Sequence, residues 1–582
     1  MKFFKIAELL SNLESTSKRL EMIDILSEFF KKIKKSNDIS DLDKIIYLLQ
    51  GQLTPNIKKF PKMGLAEEMI KEALSIHSGI SKAKIKEILV KKGDIGMTAE
   101  YILSRNKKQK SLTDFGSNNT KQHSSLEIKD FYSELEKIAL THGPKSSDIK
   151  LGILRGLMKD PLETKYLLRI ITSTLRVGVS TQTIIDGLAL GLTGSKNNRD
   201  VIERAFNLHP DLGEIAKILA EKGLQEIKNI QIEYGMPIRN MLASRVPYTE
   251  IPTRLGIPFI AEYKLDGERL QIHKNGNNIM LFSRMLLEIS DQYPEVCDII
   301  RENINAKKAI IEGEVVAMDA FYEKMLPFQV LSRRRRKYDV DTISKEVPVC
   351  LFLFDLLKLE NESYIDKPLP SRRKKLEKIT QERDELRLVK SVQINTTQEL
   401  LDFFLLAREK GNEGVMTKSV KEDSIYQPGN RGFLWIKLKG IEGGKLTDSV
   451  DMVLIGAFYG KGKNVGVYTA YIGAVYDSNK DIFEAFTRIG TGFSDELLES
   501  LTSKANNIKL ETKPNTVNCE DTPDVWLKPE IVVEIEGDEI TLSKFSSLGY
   551  SMRFPVFQKL RHDKAPRDVT TVSEIKQLYE NQ

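Results

Sequence analysis

The sequence predicts a multidomain protein: an all-α N-terminal domain over residues 1–230, a mixed α+β domain over 231–439 and a C-terminal antiparallel β-barrel over 440–582. Three observations predict it. Up to about residue 230, apolar residues recur at helical spacing, as in Phe4, Leu9 and Leu13, in Leu151, Leu154 and Leu157, and in Leu167, Ile170 and Ile171. From Pro237 the pattern changes to short β-rich runs, PFIAEY, ERLQIH, a KNGN turn and IMLFS, in which Asn-Gly marks a hairpin. Past Gly440 the runs VDMVLIGAFYG, VYTAYIGAVYD, DIFEAFTRIG and EIVVEIEG alternate as the strands of a small barrel do.

Length and composition agree with this division. The 582 residues, 41% of them hydrophobic and 29% charged, are enough for each domain to bury a core of its own. Within the middle domain, AIIEGEVVAM, CLFLFDLL, GVMTK and FLWIKLK read as further strands, with helices over Pro370 to Arg383 and Thr397 to Lys410. The stretch from Ser104 to Glu127 is rich in Ser, Asn and Lys and reads as a mobile surface loop.

Composition also excludes several classes. A formal net charge of only +6 means that any nucleic-acid binding must come from local clusters of charge. Cys297, Cys350 and Cys519 are too few and too scattered for a disulfide framework or a four-thiolate zinc module, which fits a reducing cytoplasm. The N-terminal MKFFKIAELLSNLE carries charges, and Asp355 interrupts the longest apolar run, Val347 to Leu357, so neither a signal peptide nor a membrane span is expected. No GxxxxGK[ST] segment occurs, which removes the P-loop NTPases.

The informative segment is EYKLDGER, from Glu262 to Arg269. Lys264 lies between apolar strand residues and is followed by Asp266 and Gly267. Burial beside a cation or metal lowers a lysine's pKa and frees the amine for nucleophilic attack; a surface lysine before an Asp-Gly turn is the plainer alternative. Other charged and aromatic residues fall on the remaining strands of the same domain: Arg284, Glu312, Glu314, Phe354, Glu413, Lys437 and Lys439. Alternation puts Glu312 and Glu314 on one face of their strand, and Lys437 and Lys439 on one face of theirs. Inward lysines beside Trp435 need an anion to neutralise them; a polyphosphate would serve, and the carboxylates suit Mg²⁺.

In order along the chain, KLDG (Lys264 to Gly267), SR (Ser283, Arg284), EGE (Glu312 to Glu314), FLFD (Phe352 to Asp355), EGVM (Glu413 to Met416), WIKLK (Trp435 to Lys439) and the terminal RFPVFQKLRHDKAPRDVTT (Arg553 to Thr571) resemble the motifs of the covalent nucleotidyltransferases, specifically the ATP-dependent DNA ligases. The helical region and PIRNMLA (Pro237 to Ala243) resemble the archaeal and eukaryotic replicative type, so the likeness covers nearly the whole chain. The resemblance implies a helical DNA-binding domain, an ATP-grasp-like nucleotidyltransferase core and an OB-fold barrel.

It also implies roles. Lys264 would take AMP from ATP, pass it to the 5′-phosphate of a nick and so let the 3′-hydroxyl join the strands in duplex DNA. Glu262 would read adenine, Phe354 would stack on it, and Arg269 and Glu314 would hold the ribose and phosphate region. Arg284, Arg431, Lys437, Lys439, Arg561 and Lys564 would meet phosphates, while Asp266, Glu314 and Glu413 would ligate Mg²⁺. The glycines of KGIEGGK, from Lys439, would serve as a hinge for the barrel domain, and RRRRK from Arg333 to Lys337 would contact the DNA backbone or be a solvated charge run.

Gln109, Leu112 and Phe115 resemble a sliding-clamp (PCNA) binding box, with Gly116 where a second aromatic is usual. The implied protein is a cytoplasmic, nucleoid-associated monomer with no membrane partner. RNA ligases and capping guanylyltransferases share the lysine motif without such a helical domain, and NAD-dependent ligases normally carry a zinc module. A catalytically silent adaptor that kept the fold is the reading from another class.

Overall fold

The computed structural model describes residues 1–36, 38–55, 57–58, 63–111, 125–335, 340–438, 449–543 and 546–580. By packing, the chain divides into two units: Met1–His77 with Gln109–Lys439, and Ser78–Lys108 with Gly440–Gln582.

The first unit begins with helices whose apolar spacing follows the helical repeat. Phe3–Glu14 buries Phe3, Ile6, Leu9, Leu10 and Leu13. Thr181–Thr193 starts where the Ser180 hydroxyl accepts from the Thr183 amide and stops at Gly194, with φ +79°. It packs on Arg19–Ser36 through two glycines: a Cβ on Gly187 would lie 2.7 Å from Leu26 Cβ, and one on Gly191 would lie 2.8 Å from the Ser27 carbonyl oxygen. Glycine spacing thus sets how closely these helices approach.

Glu14 closes a polar cluster between two helices. Its Oε2 accepts from the Tyr166 hydroxyl at 2.7 Å and lies 2.9 Å from Lys165 and 3.0 Å from Arg169. Burial pushes this carboxyl up, but the hydrogen bonds from Tyr166 and Lys165 and the charge of Arg169 outweigh it and leave it below the usual carboxylate range. A depressed folded pKa contributes stability that is complete above the unfolded value and lost as pH falls through the folded one. The denaturation midpoint should therefore separate wild type from Glu14→Gln most at neutral pH, and the gap should close between about pH 5 and pH 3. A gap that stays constant over that range would contradict the assignment.

The core of the first unit holds two sheets. The strands are β1 (Leu242–Ser244), β2 (Phe259–Lys264), β3 (Glu268–Asn275), β4 (Asn278–Ser283), β5 (Lys308–Ala317), β6 (Val349–Leu359), β7 (Glu362–Ser363), β8 (Leu386–Leu388), β9 (Ser391–Ile394), β10 (Gly414–Ser419) and β11 (Arg431–Leu438). One sheet has the order β1-β11-β10-β2-β9, and the other β4-β3-β5-β6-β7 with β8 beside β6. The expected hairpin is β3 and β4, in register from Leu270↔Ser283 to Asn275↔Asn278, with Gly276 at φ +61° in its turn. Because β2 belongs to one sheet and β3 to the other, the chain crosses between sheets at Leu265–Asp266–Gly267. Lys264 is the last strand residue before that crossing.

Alternation then sorts side chains. On β5, Ile311 and Val315 join the core beneath the second sheet with Val296, Ile300 and Leu376 of the flanking helices, while Glu312 and Glu314 face the other way. On β10 and β11, Val415, Ile436 and Leu438 pack under the first sheet with Phe403 and Leu400, leaving Met416, Lys418, Trp435 and Lys437 on the opposite face. Phe354, Met416, Tyr426 and Trp435 share one apolar cluster between the sheets.

Some sequence expectations needed adjustment. The helix expected to run to Arg383 spans Leu369–Ile379, since Thr380 pairs with Ile304 as an isolated bridge. The polar stretch expected as loop from Ser104 begins as helix, because Ile95–Ser111 continues through it; Arg, Lys and Gln are good helix formers however polar they are. Within RRRRK, Arg334 is no phosphate contact: it is buried, donates to the Val347 and Gln292 carbonyls and pairs with Glu295. Arg333 is exposed and pairs with Glu346 at 2.7 Å. The hinge glycines of KGIEGGK lie outside the described residues.

The second unit contains the helical segment Ser78–Lys108 and a curved, mostly antiparallel half-barrel. Its strands are β12 (Val450–Tyr459), β13 (Tyr468–Asp477), β14 (Ile482–Ile489), β15 (Lys509–Leu510), β16 (Val517–Asn518), β17 (Val525–Leu527), β18 (Val532–Glu536), β19 (Glu539–Leu542), β20 (Tyr550–Arg553) and β21 (Val556–Leu560). The main sheet runs β15-β17-β12-β13-β14-β16, with β18 on β12 and β21 on β18, and β19 pairs with β20; among the described strands of this unit only β14 and β16 pair parallel. Leu498, Leu501 and Ala505 of the helix Asp495–Asn507 complete its core.

Candidate active site

Lys264 sits where β2 meets β10: it pairs in register with Gly414, and the Glu413 amide donates to its carbonyl at 2.9 Å. Its Nζ forms an ion pair with Glu413 Oε2, both side chains partly buried. Gly267 closes the crossing in a space only glycine fits, since a Cβ there would lie 2.3 Å from the Val315 carbonyl oxygen and 2.8 Å from Glu314 Cγ. The same approach sets the Gly267 amide against Glu314. Burial pushes the Glu314 carboxyl up to about 7, against the opposing pull of the Lys264 and Arg269 charges and that amide, and Glu413 adds to the rise. Lys264, Glu314 and Glu413 therefore form one electrostatic cluster at the mouth between the sheets.

Deeper in, Glu262 is only 2% exposed and stands between two cations, with Lys418 Nζ 2.5 Å from Oε2 and Arg373 3.5 Å from Oε1. Lys418 is 1% exposed and lies 4.5 Å from the Trp435 ring centre and 4.9 Å from that of Phe354. The two rings meet edge to face at 6.2 Å. Arg269 stacks near the same pair, ion-pairs with Glu312 at 2.6 Å and donates to the Met241 carbonyl at 2.9 Å. Burial disfavours its charge, but the Glu312 carboxylate overrides this and pushes the guanidinium further above its already high pKa.

This wall is under-satisfied. Glu262 Oε1, Arg269 Nε, Glu312 Oε1, Arg373 Nη1 and Lys418 Nζ are all buried without a well-formed hydrogen bond. Buried polar groups ordinarily make hydrogen bonds, so a cluster of atoms lacking them around two aromatic rings marks a place built for a flat, polar ligand.

The other expected residues are placed less closely. Arg284 and Arg431 are exposed, at the end of β4 and the start of β11, and Lys437 is half-buried on the same face of β11 as Trp435. Asp266 is half-buried within the crossing. In the second unit, Arg561 pairs with Asp451, Glu534 and Asp563, and Lys564 with Asp451 at 2.6 Å. Lys439, Leu112 and Phe115 lie outside the described residues, and Gln109 falls within the helix Ile95–Ser111. Among the described residues, no three acidic, His or Cys groups already converge as a metal cage, and no helix is long and apolar enough to cross a membrane.

Sequence reasoning missed Lys418, Arg373, Glu312 as the Arg269 partner, and Tyr426, whose hydroxyl accepts from the Met241 amide at 3.0 Å and lies 3.4 Å from Arg269. Strand parity with Met416 could have flagged Lys418. Arg373 gave no signal, because SRRKKLEK reads as a solvated helix face.

Three family descriptions match in chain order: "DNA ligase N terminus" over residues 2–189, "ATP dependent DNA ligase domain" over 240–439 and "ATP dependent DNA ligase C terminal region" over 464–564. The chain belongs to the ATP-dependent DNA ligases. The ligase is 42% identical to the DNA ligase of Sulfurisphaera tokodaii, covering all of this chain and 97% of that one, and 42% identical to that of Sulfolobus acidocaldarius, covering 98% of it. Its fold is similar to that of a solved structure named Pmar-Lig_Pre, with TM-score 0.58 at 19% identity over 96% of this chain and 99% of the other. The resemblance carried by the motifs is thereby established over the full length. The ligase is an enzyme that uses ATP to join nicked DNA, through the covalent adenylate characteristic of its family.

Proposed function

We propose that Lys264 is the residue that carries AMP. The observation that supports this is its position: the last residue of β2, at the crossing between sheets, ion-paired with Glu413 and next to the half-buried Glu314. Once the ammonium paired with Glu413 has lost a proton to water, Nζ attacks the α-phosphorus of ATP. The N–P bond forms, the bridging P–O bond breaks, pyrophosphate leaves and the amine's proton passes to water. The AMP then moves to the 5′-phosphate of the nick, and attack by the 3′-hydroxyl joins the strands and releases AMP. Each step is a phosphoryl-type transfer, helped mainly by positioning and charge neutralisation.

Around it, Glu262 contacts adenine, Phe354 stacks on the base, and Arg269 with Glu314 orders the ribose and its phosphate. Arg284, Arg431, Lys437, Lys439, Arg561 and Lys564 neutralise phosphate charge. Asp266, Glu314 and Glu413 would hold Mg²⁺. Hard carboxylate oxygens without a preformed cage suit an ion that keeps waters and binds together with phosphates, and the ion would spread charge off the phosphates.

The chain works as three domains, 1–230, 231–439 and 440–582, and as a cytoplasmic, nucleoid-associated monomer in replication, repair and recombination. Gln109, Leu112 and Phe115 dock a sliding clamp, supported by their spacing in the sequence.

The test is labelling. Given α-labelled ATP and magnesium, the ligase should acquire acid-sensitive label, and chelating the metal should reduce that label by about a hundredfold or more. Label from GTP in preference to ATP, or none from either, would overturn the proposal.

A further inference from the structure

We infer that Arg373, which lies outside the motif set, is a positioning residue for base selection: it fixes the oxygen of Glu262 that faces the purine. This rests on the reading of Glu262 as the adenine contact.

The geometry around that carboxylate is asymmetric. Oε2 is tethered by Lys418 at 2.5 Å. Oε1 has Arg373 Nη1 at 3.5 Å, too far for a good N–H···O bond yet close enough for strong attraction in a buried site. Arg373 cannot swing to close that distance, because its other nitrogens are taken: Nε donates to Glu377 Oε1 at 2.9 Å, and Nη2 to the Val389 carbonyl at 2.8 Å. Oε1 and Nη1 are therefore both buried, both without a hydrogen bond and held apart by the fold.

An acceptor kept in place but unpaired is what discrimination between purines requires. Adenine presents an exocyclic amine, which donates to Oε1. Guanine presents a carbonyl oxygen at the equivalent position, and two facing lone pairs repel. A site whose buried acceptor is satisfied by one ligand and not by another rejects the second strongly. Without Arg373, Glu262 is tethered at Oε2 alone and its charge is balanced by one buried cation instead of two. Oε1 is then free to turn away, and selectivity falls with affinity. The competing role is purely architectural, Arg373 simply fastening the helix Leu369–Ile379 to the segment before β9, as its neighbour Arg372 fastens that helix to β6.

Kinetics of AMP loading on the intact chain separate the two, using Arg373→Met, Arg373→Lys, Glu262→Gln and the double variant R373M/E262Q. R373M should raise the KM for ATP about tenfold, keep the saturating loading rate within about twofold and lower the preference for ATP over GTP about tenfold. R373K should recover part of both losses by returning a cation near Oε1. R373M should add nothing further in the Glu262→Gln background, because both changes remove the same contact. A fall in saturating rate with KM and base preference unchanged would assign Arg373 to architecture and overturn the inference. If Glu262→Gln lowers base preference and R373M does not, the inference about Arg373 fails alone. If Glu262→Gln leaves base preference unchanged, the adenine reading of Glu262 fails and takes this inference with it.

Discussion

Lys264→Arg and Lys264→Ala should each lower ATP-dependent nick sealing by about ten-thousandfold or more, because covalent capture has no substitute route. The two variants fail for separable reasons. Alanine removes both the amine and the cation paired with Glu413. Arginine keeps a cation beside Glu413 and Glu314, so the electrostatics of the site are largely retained, yet a guanidinium stays protonated and is no nucleophile. If positive charge alone were needed, arginine would rescue. Both variants should still seal a nick supplied already adenylated, because the final attack by the 3′-hydroxyl does not use the lysine amine. ATP-dependent sealing by either variant at more than about a hundredth of the wild-type rate would refute the assignment.

The second large effect is on stability. Asp355 and Arg372 are both 0% exposed and form a two-pronged pair at 2.7 and 2.9 Å, while Arg372 also donates to the Lys367 and Ser424 carbonyls. That guanidinium ties β6, the helix Leu369–Ile379 and the segment leading to Tyr426 together beneath the Phe354–Trp435 cluster. Asp355→Ala leaves a buried cation without its counter-ion and should cost about 3–5 kcal/mol in chemical denaturation. The double variant Asp355→Leu with Arg372→Met removes both charges and should recover most of that loss, since a buried pair gains little net energy over apolar residues of similar size. A cost below about 1 kcal/mol for Asp355→Ala would show that water or a neighbour satisfies Arg372.

What the sequence made legible follows from local physics. Alternation within β5 put Glu312 with Glu314 on a shared face, and the Asn-Gly signal located the β3–β4 hairpin, because both patterns act over a few residues. A lysine before Asp-Gly in an apolar run singles out Lys264, and the structure places it at the crossing between the sheets, beside Glu413. The misses are long-range. Nothing local indicates that Lys418 neutralises Glu262, that Glu312 rather than Glu314 pairs with Arg269, or that Arg334 turns inward to Glu295 while Arg333 stays outside. These pairings depend on which strands become neighbours, and periodicity carries no information about that. For the same reason, helical spacing marked residues 1–230 as helical but could not say that Ser78–Lys108 packs with the half-barrel unit.

The site at which AMP becomes attached can be read directly. After brief incubation with ATP and magnesium and digestion at neutral pH, mass analysis should find a single peptide heavier by one AMP, with fragmentation placing the adduct on Lys264. An AMP adduct on another residue, or unmodified Lys264 in protein that is actively sealing nicks, would contradict that assignment.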